Sequence, residues 1–101
     1  MVKNGMRPIH PGEILREEYM VPLGLSATAL THALGVTPAR INDIIRERRG
    51  ITAEKALRLA RYFKMSPHFW LGLQMDYELD TAKDALEGRL EKEIKPMSAA
   101  G

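Results

Sequence analysis

Apolar residues recur every three or four positions along most of the chain, and no useful stretch alternates apolar and polar residues at a period of two. That pattern predicts helices and no strand. In "HPGEILREEYMVPLG", Ile14, Leu15 and Tyr19 can share one buried face. Pro11 suits a first helical turn, and Glu13, Glu17 and Glu18 suit the positive end of a helix dipole. Pro22 and Gly24 predict its stop. "LSATALTHALG" predicts a short second helix, capped by Ser26, buried along Leu30, Ala33 and Leu34, and closed by Gly35. Two residues on, Thr37 caps again, with Pro38 at the first position of a third helix expected over residues 38–48. Two short helices joined by a tight glycine-containing turn form a helix-turn-helix unit.

The same pattern continues to the end. Thr52 caps "TAEKALRLARYF", with Ala56, Leu59, Ala60 and Phe63 inward and Arg58 and Arg61 outward. Ser66 caps and Pro67 opens a fifth helix, in which Phe69, Trp70, Leu73 and Tyr77 make a large apolar face. This helix is expected to continue through "DTAKDALEGRLEKEI", with Leu79, Ala82, Leu86, Leu90 and Ile94 on one side. Gly88 weakens it by about 1 kcal/mol relative to alanine. "KPMSAAG" is expected to fray. The fold class that follows is all-α, with five helices and an extended C-terminal helix. Residues 1–9 are expected to be a flexible N-terminus, residues 10–79 the helix-turn-helix domain, and residues 80–101 a C-terminal helix and frayed tail.

The third helix carries the informative chemistry. On a helical wheel Ile41, Ile44, Ile45 and Arg48 lie on one side, Ala39, Asn42, Asp43 and Arg46 on the other, and Arg40 at the edge. The narrow isoleucine stripe docks the helix on its own domain and turns forked and basic side chains outward. A DNA major groove admits such a helix. Arginine can pair bidentately with guanine and asparagine with adenine. The start of a recognition helix reaches the base edges, so Arg40, Asn42 and Arg46 are the expected base readers. Thr37, Pro38 and Ala39 keep the helix start small. Asp43 shares their face, Arg48 and Arg49 follow where phosphates would run, and Ser26 and Thr28 can hold a phosphate at the start of the second helix. A merely solvated basic helix is the competing reading. The short capped turn in front of it favours double-stranded DNA.

Charge sharpens this picture. The net charge of +2 is unevenly spread: residues 37–64 carry eight basic and three acidic side chains, residues 65–101 four basic and seven acidic. A basic block beside an acidic one suggests two partners of opposite charge. The length of 101 residues suits one domain, and 45% hydrophobic residues suffice for a core. The absence of cysteine excludes disulfides, cysteine–zinc sites and thiol nucleophiles. No apolar run approaches the roughly 18–20 residues that cross a bilayer. "MVKNGMRPIH" lacks a signal-peptide core, so the chain reads as cytoplasmic, with no membrane partner. His10, His32 and His68 are too scattered for a metal site and read as cap, turn or surface residues. With no glycine-rich phosphate loop either, neither an enzyme nor a cofactor is expected.

The aromatic face and the leucine stripe exceed what four short helices need to cover. Groove-binding helix-turn-helix proteins pair about a two-fold axis to reach half-sites one DNA turn apart. Dimerisation is therefore expected through Phe69, Trp70, Leu73, Tyr77, Leu79, Leu86 and Leu90.

The segment resembles the phage-repressor (XRE) helix-turn-helix class, with Gly35 in the turn and Ile41 and Ile44 in the core. More specifically, "HPGEIL", "LGVTPARINDII", "RRGITAEKALRLARYF" and "SPHFWLGLQMDYEL" resemble the HigA (VapI-like) antitoxins of bacterial toxin–antitoxin modules, over roughly residues 10–79. The resemblance implies a phage-repressor-like fold and a homodimer that represses its own promoter at an inverted repeat. It also implies a partner toxin, typically a small basic RelE-like ribonuclease that cleaves messenger RNA. It places the recognition positions on Thr37, Pro38, Ala39, Arg40, Asn42, Asp43 and Arg46. Two positions depart from the pattern. Glu47 stands where relatives often carry glycine, and glutamate tolerates a left-handed backbone poorly, so the third helix is expected to run longer or end differently. Thr31 stands where alanine is usual, and only a slight shift is expected. The alternatives are a stand-alone helix-turn-helix regulator without a toxin, and a protein-interaction module whose basic helix is only solvated.

Overall fold

The computed structural model describes residues 7–98, which hold six helices and no strand. The first, α1 (residues 11–23), is composite: an α-helical turn Pro11–Ile14, a π-helical turn Leu15–Met20 and a last turn Val21–Leu23. Then come α2 (Ala27–Leu34), α3 (Pro38–Ile45), α4 (Ala53–Phe63), α5 (Pro67–Ala85) and α6 (Arg89–Glu93). Side-chain caps start four of them as expected. Ser26 accepts from the Ala29 amide, Thr37 from Arg40, Thr52 from Lys55 and Ser66 from His68. Gly35 ends α2 at φ 67°, returning its amide to the Thr31 carbonyl at 3.0 Å.

The structure corrects four element expectations. Pro22 does not stop α1, which runs on to Leu23 and ends at Gly24 (φ 61°). The wider π turn ahead, where the Val21 amide reaches back five residues to the Arg16 carbonyl, accommodates a ring that crowds a regular turn and an absent N–H. Helix α3 ends at Ile45, not Arg48. The long C-terminal helix is broken: α5 stops at Ala85, Gly88 takes φ 76°, and α6 is a separate short piece. In α2 the buried edge is Leu30, Thr31 and Leu34, while Ala33 is exposed.

The core joins Leu15 and Met20 of α1, Leu30 and Leu34 of α2, Ile41 and Ile44 of α3, Ile51, Ala56 and Leu59, and Trp70 of α5. Helix α5 packs on α4 and α1, while α2 packs on α3 and α4. Trp70 is 0% exposed and sits among Tyr19 (5.1 Å between ring centroids), Phe63 (6.4 Å) and Phe69 (5.1 Å, edge to face). From Glu78 onward only Asp80 and Leu86 are even half-buried among the described residues. The molecule is accordingly elongated, 56 × 25 × 24 Å. No helix among the described residues is long and apolar enough to cross a membrane. Of the expected flexible N-terminus, residues 1–6 lie outside the described residues. Arg7 pairs with Glu13 at 2.8 Å.

Candidate nucleic-acid interface

Helices α2 and α3 meet at the Gly35 turn, and the turn is locked from α4. Arg58, expected to point outward, folds back to donate to the Leu34 carbonyl at 2.8 Å and pairs with Glu54 at 3.0 Å. The last carbonyls of a helix lack intrahelical donors, so this guanidinium also satisfies the end of α2. Thr28 of α2 and Pro38 and Asn42 of α3 line one shallow depression, so the start of α2 and the face of α3 open onto one surface.

On α3 the isoleucine stripe turns inward as expected: Ile41 and Ile44 are buried and Ile45 half-buried. Thr37, Pro38, Ala39, Arg40 and Arg46 are exposed, while Asn42 and Asp43 are half-buried. Arg40 and Arg46 make no side-chain hydrogen bond or ion pair with any described residue, and their guanidiniums are free for a ligand. Arg40 also lines a depression with Arg49, Thr52 and Lys55. Lys55, whose side chain is largely buried, is a cation beside the recognition helix that periodicity did not single out. Its only sequence signal is its place in the first turn after the Thr52 cap.

The exit of α3 is built differently. Arg48 and Arg49 do not continue the helix. Both fold over Asp43, at 3.3 Å and 3.2 Å, and their amides donate to the Asp43 carbonyl. Asp43 is thus engaged with two arginines, and those arginines reach the surface as a pair steered by one carboxylate. Glu47 adopts the left-handed backbone, φ 63°, that was expected to be unfavourable for it. Its carboxylate meets Arg16 of α1 at 3.2 Å, and Arg16 also donates to the Ile45 carbonyl. The pairing offsets part of a backbone cost of roughly 1–2 kcal/mol. The departure at position 47 therefore leaves α3 ending where a glycine would have ended it.

Around this exit lie groups without an assigned role from sequence. His10 caps α1, its Nδ1 accepting from the Gly12 amide at 2.8 Å, and its ring meets Tyr77 of α5 edge to face at 4.8 Å. Burial pushes its pKa below the ordinary imidazole value; the Glu47 carboxylate and the nearby Arg49 backbone act the other way, and Arg16 lowers it further. Gly12 passes so close to α3 that a Cβ there would lie 1.9 Å from the Ile44 carbonyl oxygen. Gln74 of α5 accepts from the Ile51 amide at 2.7 Å and donates to Glu78 at 2.8 Å.

The expected dimer residues separate into three environments. Trp70 is wholly inside its own domain and is withdrawn from any dimer face. Leu73 packs half-buried against the core, and Tyr77 and Leu86 are half-buried. Phe69, Leu79 and Leu90 are exposed, by 39%, 53% and 43%.

With this geometry in place, comparison with known proteins is informative. A helix-turn-helix family model matches residues 15–70. Virulence-associated protein I of Dichelobacter nodosus is 60% identical over 80% of this chain and 75% of its own length. Antitoxin HigA-1 of Vibrio cholerae is 31% identical over 96% of this chain and 90% of its own. Among solved structures, the Pseudomonas aeruginosa antitoxin HigA with the higBA promoter is 50% identical with a TM-score of 0.87, covering 91% of this chain and all of that one. The antitoxin GraA in complex with its operator is 46% identical with a TM-score of 0.87, covering 98% of this chain and all of that one.

Proposed function

The chain belongs to the XRE-type helix-turn-helix family of the HigA antitoxins, and from that premise we propose that it is a DNA-binding antitoxin and transcriptional repressor, which acts by binding and not by catalysis. In this reading it binds as a homodimer to an inverted repeat in its own promoter and neutralises a small basic RelE-like toxin that cleaves messenger RNA. The observation that carries the DNA reading is on α3: Arg40 and Arg46 stand exposed and unpaired on a capped helix whose apolar stripe is already spent on the core. Asn42 lies between them. These three are assigned the base edges. Thr37, Pro38 and Ala39 form the small leading edge. Ser26 and Thr28, with the first-turn amides of α2, are assigned a phosphate. Arg48 and Arg49 are assigned backbone phosphates, with Asp43 aiming them. Residues 10–79 are the DNA-binding domain, and the described residues beyond them, 80–98, are the arm through which two copies pair.

The test is binding of the full chain to DNA upstream of its own gene beside scrambled DNA at the same salt, with Arg40→Ala and Asn42→Ala in parallel. Each lost bidentate contact is expected to cost about 1–3 kcal/mol of discrimination while the variants stay folded. Equal weak binding to both DNAs, indifferent to either variant, would reject α3 as the reader. The toxin half is tested by co-expressing the chain with any small basic protein encoded beside it and asking for co-purification and relief of growth arrest.

A further inference from the structure

Two of the sequence words that carry the family likeness, "HPGE" and "FWLGLQ", contribute nothing to the face of α3. Gly12 and Gln74 of these words, with Arg16 just after the first, instead meet its exit, residues 44–51. From α1, Gly12 lies against the Ile44 carbonyl, and Arg16 binds the Ile45 carbonyl and the Glu47 carboxylate. From α5, Gln74 binds the Ile51 amide, and its terminal amide fills the space a side chain at Gly50 would need, within 2.5 Å of a Cβ there. Beyond Ile45 the exit is non-helical with one residue at positive φ, and it is held on both sides by long-range bonds. Arg48 and Arg49 ride on it.

We propose that Gln74 and Arg16 are positioning residues for DNA binding: they clamp the exit of α3 between α5 and α1 and so fix where Arg48 and Arg49 meet the phosphates. The inference rests on the DNA reading above. Its physical basis is the cost of aim. An exposed arginine on a loose loop loses rotamer and backbone freedom when it binds, whereas one on a clamped loop has already lost the backbone part. Because Gln74 is on α5, the clamp also makes the phosphate contacts sensitive to anything that shifts that helix.

The experiment is a double-mutant cycle in the full chain, read on DNA upstream of its own gene over a range of salt. Arg48→Ala with Arg49→Ala is expected to lower the salt slope by about two contacts' worth, near 0.9 per phosphate. Gln74→Met keeps the length but removes the acceptor. It is expected to weaken binding about 3- to 10-fold and lower the salt slope in the unaltered background, and to change little in the Arg48→Ala, Arg49→Ala background. Gln74→Glu combined with Glu78→Gln exchanges donor and acceptor between the two side chains while keeping an acceptor for Ile51, and is expected to restore both. Amide exchange at Ile51 reads the link directly in the folded protein: faster in Gln74→Met, restored in the exchanged pair. Additive losses, or a lowered melting point with an unchanged salt slope, overturn the inference and leave the DNA reading standing. No preference of the unaltered protein for the upstream DNA overturns both.

Discussion

Helix α5 passes through two surroundings. Its first part drives Trp70 into the core at 0% exposure and lays Leu73 against it. Its second part, residues 75–85, has apolar residues at the same helical spacing, yet Met75 and Leu79 are 58% and 53% exposed. Leu90 and Ile94 beyond it are exposed as well. Periodicity names the face of a helix that wants cover; it does not say whether the same chain supplies it. The first part is covered from within, and the second waits for something outside, which is why it is assigned to a second copy.

The contrast can be broken most directly at its buried end. Trp70→Ala is expected to cost about 3–5 kcal/mol by urea denaturation, since it removes the largest fully buried side chain. Its indole Nε1 has no hydrogen-bond partner among the described residues, so part of that loss is offset by releasing a buried N–H. A cost below about 1 kcal/mol would mean that the two parts of α5 are not as different as their burial. Gly12→Ala forces a Cβ into the Ile44 carbonyl and is expected to cost about 1–3 kcal/mol in the same assay.

Acid provides a milder probe. The pKa of His10 is depressed by burial, so below about 6.5 the unfolded chain takes up a proton that the folded chain resists. Stability is then expected to fall as pH drops below about 6.5 and to be flat above it, with His10→Gln flattening the lower limb. Glu13 adds a second loss at lower pH: its hydrogen bond with Arg7 holds its carboxyl below the ordinary value, so stabilisation present above 4.5 disappears as pH falls further. Thermal melts at pH 7, 6 and 5 would show the first effect; a melting point that rises on acidification would reverse the sign of the His10 argument.

Smallest in stability, and most pointed for the comparison, is the exposed part. Leu79→Asp with Leu90→Asp is expected to change unfolding free energy by less than about 0.5 kcal/mol per site in the monomer. Sedimentation is expected to move from dimer to monomer. A dimer that survives both substitutions would remove the leucine stripe from the interface.

Local signals were legible in the sequence and distant ones were not. Ser26, Thr37, Thr52 and Ser66 each bond an amide two or three residues away, so the helix starts could be read directly. Arg40 and Arg46 were legible because an isoleucine stripe leaves a short helix only one other side. The end of α3 was not, because the left-handed Glu47 is supported by Arg16, far upstream. Thr31 and Ala33 flank the Leu30–Leu34 stripe on opposite sides of the wheel, and only the placement of α3 and α4 around α2 decides that the threonine is buried. Gly88 was noted as a weakness and became a break, since no packing holds a helix together there. The inward turn of Arg58 onto Leu34, and the engagement of Arg48 and Arg49 by Asp43, depend on neighbours that no helical wheel displays.

The π turn in α1 has a consequence for which changes this domain can absorb. A π turn spends more residues than an α turn, so it takes up an extra residue while leaving the two ends of one helix nearly in phase. Upstream of it, Gly12 faces the exit of α3; at its far end, Tyr19 and Met20 face the aromatic core. Deleting a single residue from 15–20 would restore an ordinary helix with its two ends nearly in phase, but it would remove the wide turn that accommodates Pro22. Many substitutions in that turn should be tolerated, but a change in its length would not be. Across relatives, the spacing between the "HPGE" word and the first core tyrosine should therefore drift more slowly than the letters that fill it.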